Sequence, residues 1–239
     1  MKISKQTRNK IIVWISAIIT AFVIIFITKI NFIDTYIIEG HRTFILKNIV
    51  PKHNDLVIFY TQNGEQKLSR VIAVPGDSIY IRNSEVFLNS KQVSLEQEKH
   101  TYFLKGEYFR DGSVIKEIDV QNSRLKELKS IFKGLIEKKT VPRWYRQAEI
   151  FPSNEKLYQN KDNIVTYFLP VQGFEFSKIV KFPSCYTQII ERYETPEFVP
   201  ENYKFQNNYY YLLNDNRNEI DDSRTFGMIP EKYIIGVVL

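Results

Sequence analysis

Asn214-Asp215-Asn216-Arg217-Asn218-Glu219-Ile220-Asp221-Asp222-Ser223-Arg224-Thr225-Phe226-Gly227 lies near the end of a 239-residue chain. Tyr209-Tyr210-Tyr211-Leu212-Leu213 precedes it and Tyr233-Ile234-Ile235-Gly236-Val237-Val238 follows it. Both flanks are aromatic and β-branched, the composition of strands. Charges packed this densely between two buried strands need partners, because an unpaired charge withdrawn from water is costly. Arginine forks match carboxylates bidentately, so the spacing predicts a loop cross-linked by Arg–Asp pairs. A solvated polar loop is the ordinary reading of such a string taken alone.

A second stretch changes that reading. Ser69-Arg70-Val71-Ile72-Ala73-Val74-Pro75-Gly76-Asp77-Ser78-Ile79-Tyr80-Ile81 reads as strand, turn and strand. Pro75-Gly76 fits the two central positions of a type II turn, where glycine supplies the positive φ. Together the stretches resemble type I signal peptidases (leader peptidases), serine proteases with a Ser–Lys dyad. That family carries Lys-Arg-x-x-Gly-x-Pro-Gly-Asp, a hairpin, and later Gly-Asp-Asn-Arg-x-x-Ser-x-Asp-Ser-Arg-x-x-Gly. The structural signature is kept at Arg70, Pro75, Gly76, Asp77, Asp215, Arg217, Asp222 and Arg224. The resemblance implies a mainly β fold, a signal-peptidase-like sheet or barrel core with an inserted α+β subdomain and one N-terminal transmembrane helix.

The residues that would move protons depart from the pattern. In the family the nucleophilic serine lies in the link between two strands, which here are Tyr36-Ile37-Ile38 and Leu56-Val57-Ile58-Phe59-Tyr60. Aligned on Gly40, the serine position is Arg42; counted back from Asp55, it is Leu46. No serine occurs between Asp34 and Leu68. The family's lysine base directly precedes the arginine of the first block, and Ser69 stands there. The serine that orients that lysine is replaced by Ile220, and Asn214 and Ala73 replace glycines. A serine hydroxyl is no general base near neutrality. The remaining candidates are Thr43 or Ser69 as nucleophile with Lys67 as base, Lys67 and Ser69 sharing a strand face. His41 borders the vacated position, and eukaryotic relatives of the family use histidine in place of lysine; no serine neighbours it. Loss of nucleophile, base and orienter with the cross-links retained points to a pseudoenzyme.

The net charge of +6 invites a nucleic-acid reading, but four of those charges come from Lys2, Lys5, Arg8 and Lys10. An excess confined to the first ten residues is a topology signal rather than a groove for phosphate, so no nucleic-acid partner is expected. Residues 11–28 carry no charge, and a helix of that length spans roughly 27 Å, close to the hydrocarbon thickness. No small-residue cleavage pattern follows, which favours a retained anchor over a removed leader. The positive-inside rule puts the N-terminus in the cytoplasm and the rest outside a bacterial-type plasma membrane. Cys185 is the only cysteine, which excludes an intrachain disulfide and a thiolate zinc site. The three histidines are too far apart for a helical metal pair, and no phosphate loop is present. No metal and no cofactor are expected.

In order, residues 1–10 form a basic tail, 11–30 the anchor, 34–90 with 206–239 the β core, and 91–205 the inserted subdomain. Ile79–Ile81 and Val86–Leu88 flank Arg82-Asn83-Ser84-Glu85, a hairpin with turn-forming residues. Asn122 or Ser123 caps a helix running to about Ile136, with Leu125, Leu128, Ile131, Phe132, Leu135 and Ile136 on one stripe and Lys126, Lys129 and Lys133 facing away; the stripe is docked on the sheet or, alternatively, serves as an amphipathic partner-binding or membrane-surface face. Cys185–Tyr193 has Ile189, Ile190 and Tyr193 at helical spacing. The functional expectation is a membrane-anchored signal peptidase I homologue of protein export. It would not cleave by the Ser–Lys route and would bind extended precursor or signal peptides along a sheet edge. An active peptidase with relocated groups and a structural membrane interaction protein are the alternatives.

Overall fold

A computed structural model of the chain describes residues 5–38, 40–106, 114–132, 134–152, 157–179, 181–194, 199–200 and 202–239. In chain order the elements are α1 (Lys5–Phe32), β1 (Ile33–Ile38), β2 (His41–Leu46), β3 (Leu56–Tyr60), β4 (Gln66–Ala73), β5 (Ser78–Arg82), β6 (Glu85–Leu88) and β7 (Lys91–Val93). There follow β8 (Lys99–Gly106), β9 (Val114–Gln121), α2 (Asn122–Ile131), β10 (Gly134–Lys138), β11 (Ile164–Phe168) and α3 (Pro183–Tyr193). β12 (Tyr209–Leu213), α4 (Ser223–Phe226), β13 (Ile229–Pro230) and β14 (Ile234–Val238) complete it. The protein is mainly β, as its strand-favouring composition requires. Two compact units form, residues 1–50 with 236–239, and residues 51–235.

In the first unit β1 and β2 pair antiparallel from Ile33↔Leu46 to Ile38↔His41. The sequence places a link here, and the structure builds a strand instead. Gly40 reverses the chain at φ +80, a conformation cheap only for glycine, and Thr43-Phe44-Ile45-Leu46 then continues as a β-favouring run. β14 adds to β2 through Val237↔Leu46 and Val238↔Ile45. Gly236 is required there, since a Cβ would stand 2.6 Å from the Leu46 carbonyl oxygen. α1 runs through the apolar stretch, and its Ser16 and Thr20 hydroxyls donate to the Val13 and Ser16 carbonyls within the helix. Among the described residues no helix is long and apolar enough to cross a membrane. Side chains in α1 are described at Lys10 and from Val13 to Ile27, short of the roughly 20 residues a span takes. Residues 1–4 of the basic tail lie outside the described residues.

In the second unit β3, β4, β12 and β13 are neighbours in one sheet, and β11, β5, β6 and β7 form another. β10, β8 and β9 form a third. Val57, Ile58, Phe59, Val71, Ile72, Ala73 and the whole of β12 are buried. The Pro75-Gly76 turn forms with Gly76 at φ +93 and the Asp77 amide donating to the Val74 carbonyl. The β5–β6 hairpin closes on Asn83 and Ser84, both at positive φ, the conformation whose twist matches the strands. α3 buries Cys185, Tyr186, Ile189, Ile190 and Tyr193 on one face.

The stretch 91–205 does not form a unit of its own: β11 pairs with β5, and β8 to β10 belong to the same compact unit as β3 to β7. The helix after Gln121 ends at Ile131, not near Ile136. Leu135 and Ile136 instead pair with Lys105 and Leu104 as part of β10. Gly134 lets that strand approach, because a Cβ there would meet the Lys105 carbonyl oxygen. Asn122 does not cap the helix; its amide donates to Ser94, Leu95 and Glu98 instead. Nor is α2 docked as a core helix, since none of its residues is buried and Ile131 is 72% exposed. Lys133 lies outside the described residues.

Candidate functional site

β4 and the loop from Asn214 to Asp222 come together because Arg70 pairs with Leu213 across the β4–β12 ladder. Directly before that arginine, Ser69 is 1% exposed, and its hydroxyl donates to Asn214 Oδ1 at 2.5 Å. An amide oxygen accepts a hydrogen bond but takes no proton near neutrality, so this pair has no means of raising an alkoxide. Two residues earlier, Lys67 Nζ lies 2.8 Å from Asp221 Oδ2 and 3.5 Å from Glu65 Oε2. The hydrogen bond that Lys67 donates to Asp221 is the largest influence on the amine; with both carboxylate charges it outweighs partial burial and raises the pKa above 10.5. A base for serine or threonine needs the opposite shift. Ile220 is half-buried and offers only its backbone carbonyl, which accepts from the Asp222 amide.

Arg70–Asp215 and Arg224–Asp222 are the Arg–Asp cross-links that their spacing predicts. Arg70 grips Asp215 bidentately, Nε to Oδ1 at 2.7 Å and a terminal nitrogen to Oδ2 at 2.6 Å, and also reaches the Asn54 carbonyl. Asp222 and Arg224 are both buried and joined at 2.6 Å. Arg224 also donates to the carbonyls of Arg217 and Glu219, and Asp222 accepts from the Asn214 and Arg224 amides. One arginine thus closes the loop on itself. Asp77 accepts from the Val74 amide and Asn89 and lies 2.7 Å from His53 Nε2. Burial would raise its pKa, but those three partners together lower it.

Among the described residues Arg217 is paired with no aspartate. Its partner is Glu98, 2.5 Å away and 119 positions distant in sequence. Burial pulls the Glu98 carboxyl up, but the neighbouring His100 and Arg217 outweigh it and hold the pKa at about 2. His100 Nε2 is 3.6 Å from Glu98 Oε2, too long for a hydrogen bond, and burial lowers the imidazole pKa. The loop is also laced to β8 through the Lys99 amide to the Asp215 carbonyl and the Arg217 amide to the Lys99 carbonyl. Glu98, His53 and Asn89 carried no signal in the sequence, since a glutamate outside both signature blocks looks like any surface acid.

The positions aligned with the nucleophile lie in the first unit. On β2, Arg42 is exposed opposite Ile37, Thr43 is half-buried opposite Tyr36, and Leu46 is half-buried opposite Ile33. The His41 side chain lies outside the described residues. Among the described residues, no group of three or more His, Cys, Asp or Glu is placed to hold a metal ion.

A family model described as "Signal peptidase, peptidase S26" matches residues 11–239. The chain belongs to the signal peptidase family. This signal peptidase homologue is 30% identical over 113 residues to signal peptidase I P of Bacillus subtilis subsp. natto, covering 40% of this chain and 60% of that one. It is 26% identical over 134 residues to signal peptidase IB of Staphylococcus aureus strain COL, covering 49% and 69%. Against signal peptidase I of Buchnera aphidicola it is 23% identical over 193 residues, covering 79% and 54%. The match thus spans about 60% of the length of the Bacillus relative. A crystal structure of a signal peptidase I from Enterococcus faecalis V583 aligns with 80% of this chain and 98% of that one, at TM-score 0.35 and 17% identity. In this signal peptidase homologue Arg70 pairs with Asp215, Arg224 pairs with Asp222, and Ser69 is bonded to Asn214.

Proposed function

We propose that this chain is a membrane-anchored signal peptidase I homologue of protein export that binds exported precursors or partner peptides without cleaving them by the Ser–Lys mechanism. The observation that carries this reading is Ser69 at the position of the base, buried, with its hydroxyl committed to Asn214. The nearest amine on the same strand, Lys67, is held as a charged ion pair by Asp221. Binding of extended segments is supported by β1, a terminal strand of its sheet that leaves Ile37 exposed, because an open strand edge accepts a further strand. The anchor is supported by α1, whose large apolar side chains from Val13 to Ile27 are exposed all around the helix, the pattern of a helix solvated by lipid rather than water. Lys2, Lys5, Arg8 and Lys10 favour a cytoplasmic N-terminus and a domain outside a bacterial-type plasma membrane.

The test is incubation of the detergent-solubilised full chain with a precursor bearing an Ala-x-Ala cleavage site. The expected result is saturable binding with no cleavage product. Cleavage that is lost in Lys67→Met or Thr43→Val would replace this reading with that of an active peptidase using relocated groups. Failure to bind precursor while still inserting in membranes would leave a structural membrane protein.

A further inference from the structure

The β11–β5–β6–β7 sheet carries a cleft that the signature residues do not touch. Its volume is about 620 Å³, within the range of small-ligand sites. Tyr80, Arg82, Arg143, Trp144 and Tyr158 line it, and the buried Ile81 and Ile164 also face it. Trp144 is 76% and Tyr158 67% exposed, so two large ring faces stand open beside one another's cleft wall. Among the described residues no aspartate or glutamate lines it. Arg82 and Arg143 are exposed, and neither guanidinium is bonded to a carboxylate among the described residues. Glu85, opposite Arg82 in the hairpin, is already engaged by Lys138 at 2.5 Å and Gln92 at 2.8 Å. Two guanidinium groups with no carboxylate partner among the described residues therefore face a space bounded by aromatic rings.

The wall that carries Arg143 and Trp144 is held in place. Asn160 donates to the Pro142 and Tyr145 carbonyls, Asp162 accepts from the Val141 amide, and Asn163 donates to the Val141 carbonyl. All three polar residues are buried, which keeps the loop preorganised. The outer edge of β11 is not available for strand pairing, because Gln159 accepts from the Val165 amide and the Tyr186 hydroxyl from the Phe168 amide. Recognition here runs through side chains. Guanidinium groups bind carboxylates and phosphates with paired hydrogen bonds, and exposed rings stack on flat apolar faces.

We propose that this cleft binds a small anionic ligand bearing a planar ring, with its acid group on Arg82 and Arg143 and its ring against Trp144 and Tyr158. The chain has two tryptophans, so Trp14→Phe leaves Trp144 as the single tryptophan, excited selectively over the tyrosines. The full chain in detergent is titrated with phenyl phosphate and 3-phenylpropionate, with benzyl alcohol as the neutral probe, benzylamine as the cationic one and inorganic phosphate as the anion without a ring. The expected result is saturable quenching by both anionic ring probes, with binding at least about tenfold weaker for benzyl alcohol, benzylamine and phosphate. Arg82→Ala and Arg143→Ala each weaken the anionic probes by about tenfold while leaving benzyl alcohol unchanged. Equal binding of neutral and anionic ring probes, or no saturation, overturns the proposal. That comparison within the unsubstituted cleft decides it even if an arginine variant fails to fold.

Discussion

Ser69 and Asn214 lie 145 positions apart in sequence, yet the hydroxyl of one donates to the side-chain carbonyl of the other at 2.5 Å inside the protein. The resemblance to signal peptidases leads one to expect lysine at the first of these positions and glycine at the second. Their contact is a neutral hydrogen-bonded pair, which needs no counter-charge and no depressed pKa.

Ser69→Ala leaves Asn214 Oδ1 buried without its donor and is expected to destabilise the fold by about 1–2 kcal/mol. Ser69→Ala combined with Asn214→Leu should cost less than the sum of the two, with a coupling of about 1 kcal/mol. Denaturant midpoints of the four proteins measure this. Strict additivity would show that the contact contributes nothing.

Asp222→Ala strands the Arg224 guanidinium, which is 2% exposed, and removes the acceptor that caps α4 at the Arg224 amide. A loss of about 3–5 kcal/mol is expected, enough to threaten a marginally stable domain. Asp215→Ala, whose partner Arg70 is partly solvated, should cost about 1 kcal/mol. Equal losses from the two would contradict the assignment of Arg224 as the hub.

Acid should destabilise the second unit in two stages. The His100 pKa is lowered from 6.5 by burial, so its contribution is present above 6.5 and is lost as pH falls through the folded value. The Glu98 pKa is lowered from 4.5 to about 2 despite burial, so its contribution is present above 4.5 and is lost between there and about 2. The second stage is on the order of 3 kcal/mol. Glu98→Gln should flatten the slope of stability against pH below 4.5; an unchanged slope there would refute the role given to Glu98.

The Lys67 amine should stay protonated past its ordinary pKa of 10.5, and Asp221→Ala should bring it down toward that value. NMR titration of the lysine Cε resonance reads this directly. A Lys67 titration near neutrality would reopen its candidacy as a base.

The Cys185 thiol is pushed up to about 11, chiefly by burial, and packs within the hidden face of α3. A maleimide should label it only after unfolding. Rapid labelling of the native protein would mean that α3 opens.

The elements legible in the sequence are those whose cause is local. β3 and β12 are apolar runs bounded by polar residues, and the structure forms them as Leu56–Tyr60 and Tyr209–Leu213. The Pro75-Gly76 bend and the Asn83-Ser84 hairpin follow from backbone preferences of two residues each. The strand β2 and the end of α2 were not legible, because each depends on a pairing partner: Leu135 reads as a helix residue until Lys105 lies opposite it.

For the site, residue identities alone carried the resemblance to signal peptidases and the expectation that serine and lysine are missing from the family's positions, since which side chain stands at each position is a covalent fact. Only the folded chain decided that Ser69 faces Asn214, that Lys67 is bound to Asp221, and that Arg217 is neutralised by Glu98. The reason is that side-chain chemistry is written position by position, whereas pairing and pKa depend on distances and burial created by residues more than a hundred positions away.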